Sequence, residues 1–185
     1  AESRLPWVLS AALVIAAAAT LLLMGRSLIC PCGTIRLWHG VVASSENSQH
    51  ISDWYTPSHL IHGFLFYGLL HLALPRVPIG WRFLIAMAVE VGWEILENTD
   101  AVIDRYRAVT ISYEYFGDSV LNSVADIGAM AVGFWMAAKL PVRLIVALGL
   151  AFEIVTTLAI RDGLTLNVLM LLWPLDAVRD WQAAG

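Results

Sequence analysis

Residues 5 to 25 run for twenty-one positions without a charged side chain. At about 1.5 Å per residue, a helix of that length crosses the ~30 Å hydrocarbon core of a bilayer. No water is present there to satisfy an open backbone, so such a segment is confined to a helix. The run is longer than a secretory signal core and no small-x-small cleavage site follows it, which predicts an uncleaved first span. Ser27-Leu28-Ile29-Cys30 has the outline of a lipoprotein processing site, but bulky Ile29 occupies the place of the small residue that cleavage requires.

Four further runs repeat the pattern. Residues 58 to 74 end at Pro75 and Pro78. Residues 81 to 97 form the next, and residues 118 to 138 follow a loop over 98 to 117, with Asp118 as the expected N-cap. Residues 141 to 160 make the fifth. A last run, 164 to 178, is shorter and broken by Pro174, consistent with a tilted sixth span or a re-entrant or interfacial segment. The expectation is an all-α polytopic bundle of five or six transmembrane helices, with residues 1 to 185 as one domain. With 59% hydrophobic residues, 14% charged residues and a mean hydropathy of +0.72, the chain reads as an integral membrane protein. A net charge of -4, without a basic stripe, argues against nucleic acid as a partner.

Loop charges set the orientation. A cytoplasmic N-terminus puts Arg4, Arg76, Arg82, Lys139, Arg143 and Arg179 inside, against Arg26, Arg36, Arg105, Arg107 and Arg161 outside. The short turns bearing Arg76 with Arg82, and Lys139 with Arg143, share one face in any alternating arrangement. Short basic turns favour the cytoplasm.

Three polar stripes then fall at the exterior side: His59 and His62; Glu90, Glu94 and Glu97; Asp118, Asn122 and Asp126. Imidazoles three residues apart lie on one helix face. At ~100° per residue the glutamates occupy a sector of about 60° and the third stripe one of about 80°. Carboxylates at membrane depth cost about 2.5 to 3.5 kcal/mol each on insertion scales, so they face a bundle interior and mark function. The pocket residues proposed from this pattern for ligation or acid–base work are His59, His62, Glu94, Glu97, Asp118 and Asn122. Of these, His59, His62, Glu94 and Asp118 suit a divalent metal such as zinc, iron or manganese. The same groups also suit a neutralised polar knot, the histidines donating to Glu94, Glu97 or Asp118 to fix helix order. Glu90 then bonds a backbone carbonyl, and His71 is a lone interfacial histidine.

Arg105 and Arg107 are the candidates for clamping an anionic head group, unless they pair with Asp100, Asp104 or Glu114. Tyr55, Tyr113 and Tyr115 are expected in the exterior aromatic belt. Cys30 and Cys32 are read as two loop thiols in a turn made by Pro31 and Gly33, a bridge between them requiring strain.

Cys30-Pro31-Cys32-Gly33, Leu37-Trp38-His39-Gly40, Asn47-Ser48-Gln49-His50, the run from Asp53 to His59, Glu97-Asn98-Thr99, Arg105-Tyr106-Arg107 and the run from Gly117 to Ser123 together resemble an uncharacterised family of multi-pass inner-membrane proteins from alphaproteobacteria. The resemblance covers nearly the whole chain and implies the bacterial inner membrane as its location. A histidine opening one span, a glutamate in the next, and an Arg followed by Asp-x-x-x-Asn before another also resemble VanZ-like membrane proteins. Two functions follow as expectations. One is an enzyme acting on a membrane lipid or envelope intermediate with a divalent metal. The other is a transporter, proton relay or accessory subunit, as a homo-oligomer or within a larger membrane complex. No Ser-His-Asp order, phosphate loop or nucleotide motif selects another chemistry.

Overall fold

The computed structural model describes residues 3 to 183, and its described residues form eight helices and no strand. They are α1 (Leu5–Leu23), α2 (Thr56–Ala73), α3 (Ile79–Glu97), α4 (Asp100–Val109), α5 (Val120–Lys139), α6 (Val142–Ile160), α7 (Leu164–Leu172) and α8 (Asp176–Ala183). The all-α class holds, while the expected count of five or six helices does not. By length and composition α1, α5 and α6 are able to cross a membrane, the mark of a membrane protein. Helices α2 and α3 have comparable length, 18 and 19 residues, and carry the histidine and glutamate stripes.

The ends follow local chemistry. Pro6 and Pro57 sit in the first turns of α1 and α2, where a missing N–H costs nothing. Gly25, at φ +85°, turns the chain away after α1. Ser119, not Asp118, caps α5, its Oγ accepting the Asn122 N–H at 3.1 Å. The expected loop over 98 to 117 contains α4, whose buried Ile103, Tyr106 and Val109 form one apolar stripe on a polar helix. The last run does not span. Nine residues of α7 reach only about 14 Å, Trp173-Pro174-Leu175 interrupts the chain, and α8 returns to Arg161 through Arg161 Nη1–H to the Trp181 carbonyl, 2.6 Å, and Gln182 Nε2–H to the Arg161 carbonyl, 2.9 Å.

Helix α2 packs chiefly on α5, and their backbones touch. A Cβ on Gly63 would run into the Met130 carbonyl oxygen and the Phe134 amide; one on Gly133 would meet the Leu60 carbonyl. Small residues allow this approach, and van der Waals contact holds helices together where lipid removes the hydrophobic drive. Helix α3 completes the centre against α1 and α5, with Ala17, Phe83, Ala86, Met87, Val91, Ile127, Met130 and Phe134 as a continuous apolar core. Large apolar side chains cover the outside, among them Ile15, Leu69, Val89, Val132, Leu150 and Leu158.

The chain outside the five long helices gathers mostly at one end, where residues 26 to 55 lie over the start of α5. Ser48, Ser27 and Leu28 carbonyls accept the amides of Ser119, Val120 and Leu121 at 2.8 to 3.1 Å, satisfying the free donors of that helix. Cys30 and Cys32 are joined as a disulfide, correcting the expectation of two thiols. A turn at Pro31 brings their Cα atoms to 5.1 Å, inside the range a bridge tolerates.

Candidate functional site

At that same end α2, α3 and α5 each turn acids or imidazoles inward, immediately above the apolar core. His59 Nδ1 lies 2.7 Å from Glu90 Oε1, and His62 Nδ1 is 3.1 Å and 3.2 Å from the two Glu90 oxygens. Glu90 is fully buried, so one carboxylate anchors both imidazoles. Glu90 thus takes the partner role expected of Glu94, Glu97 or Asp118, and bonds no backbone carbonyl. With Nδ1 engaged by Glu90, Nε2 is the His59 ring atom on the side of Asp126, whose Oδ2 is 3.8 Å away.

Glu94 lies beside this pair, its Oε1 3.5 Å from His59 Nδ1. It is 1% exposed, and neither carboxylate oxygen has a hydrogen-bond partner. Unsatisfied buried carboxylate oxygens are costly and call for an explanation. Asp118, released from capping by Ser119, turns in to accept Asn98 Nδ2–H at 2.7 Å and the Tyr115 hydroxyl at 3.0 Å, while its own amide donates to Asn98 Oδ1 at 2.7 Å. Asn98 also donates to the Glu94 carbonyl, so the end of α3 and the start of α5 are tied by one amide. Burial pushes the Asp118 carboxyl up to about 6, against the pull of the Asn98 and Tyr115 hydrogen bonds. Burial likewise raises Asp53, which accepts amides of Ser48 and Tyr55.

A cavity of about 150 Å³ opens above these groups. His59, His62, Glu97, Asp118 and Asp126 give it acids and imidazoles; Asn47, Ser48, Tyr55, Ser112 and Tyr115 line it from the connecting segments; Trp93, Leu164 and Val168 give it an apolar side. Burial holds the Tyr55, Tyr106 and Tyr115 hydroxyls protonated, well above the ordinary phenol range. Tyr55 and Tyr115 therefore belong to the pocket rather than to an aromatic belt, Tyr55 donating to Asp162 at 3.1 Å. Among the described residues no Arg or Lys lines the cavity.

Three trios place one ligand atom each within 4.8 Å of one another: His59, His62 and Glu90; His59, Glu94 and Asp126; Glu94, Glu97 and Asp118. Four residues in the expected set are located differently. Asn122 donates to the His50 carbonyl at 2.8 Å and faces the overlying segment, not the cavity. Arg105 donates to the Leu171 carbonyl at 3.1 Å and Arg107 stacks on Phe116, 4.8 Å from its centroid, so neither reaches the cavity. His71 is no lone histidine: it lies 3.1 Å from Arg82 and stacks on Tyr67. Glu90 and Asp126 were visible as acids in the stripes, and their roles depend on helix rotation, which residue spacing does not supply.

The chain matches a family described as a protein of unknown function, DUF2585, over residues 21–184. The chain belongs to this family. It is similar to the UPF0314 protein of Paracoccus denitrificans, 63% identical over 171 residues, which cover 92% of this chain and 89% of the relative. The UPF0314 protein of Novosphingobium aromaticivorans is 59% identical over 170 residues, covering 89% of this chain and 86% of that one. The UPF0314 protein of Sphingopyxis alaskensis is 54% identical over 183 residues, 99% and 97% of the two. No solved structure matches the chain. A family described as of unknown function carries no reaction over to this chain, so the chemistry rests on the cluster itself.

Proposed function

We propose that this DUF2585 chain is a multi-pass protein of the bacterial inner membrane whose exterior-facing pocket binds a divalent cation and acts as a hydrolase or transferase on a lipid or envelope intermediate. The observation that carries the reading is Glu94, a buried carboxylate with both oxygens unpartnered, inside a group of acids with only two imidazoles as counter-groups. A carboxylate so placed requires a positive partner or a proton, and His59 and Asp126 complete a nitrogen–oxygen donor set suited to zinc, iron or manganese. Glu90, bonded to His59 Nδ1, would hold the imidazole with Nε2 presented to the ion, as carboxylates behind metal-bound histidines commonly do. The cation would polarise a carbonyl or phosphoryl oxygen and lower the pKa of a bound water.

The apolar wall at Trp93, Leu164 and Val168 supports a substrate with an acyl or prenyl chain. A through-conduit is disfavoured, because Met87, Val91, Ile127 and Met130 close the space beneath the acids. Since α7 and α8 stay with the end of α6, Arg179 shifts to the exterior in this topology, and orientation rests on the two short basic turns, Arg76 with Arg82 and Lys139 with Arg143.

Elemental analysis of protein purified in detergent without chelator tests the reading. Wild type should carry a divalent metal, and Glu94→Gln and His59→Ala should lose it while far-UV circular dichroism stays unchanged. Metal-free wild type that stays metal-free after incubation with Zn2+, Fe2+ or Mn2+ would overturn it.

A further inference from the structure

Resting on that reading and extending it, we infer that the pocket is built for two divalent cations bridged by Glu94. Two of the ligand trios share this one residue. On one side are His59 and Asp126, on the other Glu97 and Asp118, and both Glu94 oxygens are buried without a hydrogen-bond donor. A cation held on the His59 side through one Glu94 oxygen would leave the other unpartnered. The second trio, three carboxylates within 4.8 Å and no imidazole, would remain uncompensated beside it.

The hydrogen bonds around the second trio leave room for an ion. Asp118 accepts Asn98 and, at 3.5 Å, Ser123 on Oδ2 and only Tyr115 on Oδ1, which orients the carboxylate and leaves a lone pair on Oδ1 free. Glu97 and Asp118 line the cavity, as do His59 and Asp126, so both positions open to it. The two positions differ in donor chemistry: nitrogen and oxygen beside His59, oxygen only beside Asp118. An all-oxygen set suits hard cations such as Mn2+ or Mg2+, while the mixed set suits Zn2+, Fe2+ or Mn2+. Paired cations in such a pocket clamp the entering and leaving oxygens of a displacement at phosphorus or a carbonyl. With no Arg or Lys among the described residues of the cavity wall, the cations are what an anionic head group would bind, which names the substrate class as a phosphate- or carboxylate-bearing lipid.

Titration of detergent-solubilised, metal-stripped protein with Mn2+, followed by calorimetry and electron paramagnetic resonance, tests the inference. Wild type should bind two equivalents and show the broad spectrum of a coupled pair. Asp126→Asn and Glu97→Gln should each bind one equivalent with the resolved hyperfine pattern of an isolated ion, and Glu94→Gln should weaken both sites at least tenfold. These are near-isosteric changes, and size-exclusion elution with circular dichroism confirms assembly. One equivalent in wild type, or a Glu97→Gln variant that still binds a coupled pair, overturns the two-cation site and leaves a single-cation pocket standing. No Mn2+ bound by folded wild type removes both.

Discussion

Adding one methyl group at four glycines should split into opposite signs. Gly63 and Gly133 lie where α2 and α5 touch, and a Cβ at either would strike backbone atoms of the facing helix. Carbon–oxygen contacts settle near ~3.3 to 3.6 Å, and backbone atoms within a helix cannot move aside singly, so the two helices must part by about 1 Å. Overpacking of that size costs about 1 to 3 kcal/mol, offset by the ~0.5 to 1 kcal/mol that Ala gains over Gly within a helix. Gly68 and Gly128 have nothing within 4 Å of the added atom, so only the favourable contribution remains. For a chain of this length 1 kcal/mol moves the melting temperature by about 2 to 4 °C. Gly63→Ala and Gly133→Ala should thus melt about 2 to 6 °C lower in mild detergent, and Gly68→Ala and Gly128→Ala should melt equal or slightly higher. Because His62 adjoins Gly63 and His59 lies one turn away, the first pair should also weaken metal binding. Equal shifts at all four glycines would refute the close α2–α5 crossing.

Asp162 offers a pH test outside the spans. Burial holds its carboxyl at about 6, above the ordinary 3.8, despite hydrogen bonds from Gly163 and Tyr55. A raised carboxyl contributes stability that is complete below the unfolded value and lost as pH climbs through the folded one. Asp162→Asn removes that penalty, so it should stabilise the protein at pH 8, by up to about 3 kcal/mol, and show no such gain at pH 4; a pH-independent difference would count against it. For topology, Tyr113→Cys, at an exposed position in the segment between α4 and α5, should react with a membrane-impermeant maleimide in intact cells. The native pair stays silent as a disulfide, and labelling only after lysis would reverse the orientation.

Apolar run length made the long helices readable, since a membrane leaves a backbone few options, and each expected boundary lies within two residues of the observed one. The polar stripes were readable because acids at depth are costly. Which acid meets which imidazole was not. Glu90 rather than Glu94 receives His59 and His62 because of the rotation of α3 against α2, which spacing along one helix does not determine. Asn122 shares the register of Asp118 and Asp126, yet Ser119 caps α5 and the overlying His50 carbonyl claims the amide. That pairing spans 72 residues, beyond any local pattern. Helix α4 was hidden by its polar face, and Arg105 and Arg107, attractive as anion ligands, are turned aside by it towards α7 and Phe116.

The most direct test of a cation at Glu94 is an experimental structure of the protein prepared with Mn2+, with diffraction recorded at the manganese edge. The expected result is anomalous density between His59 Nε2, Glu94 and Asp126, with a second peak towards Glu97 and Asp118. A clear map with no anomalous density, in which Glu94 is instead satisfied by a protein or water donor, would contradict it.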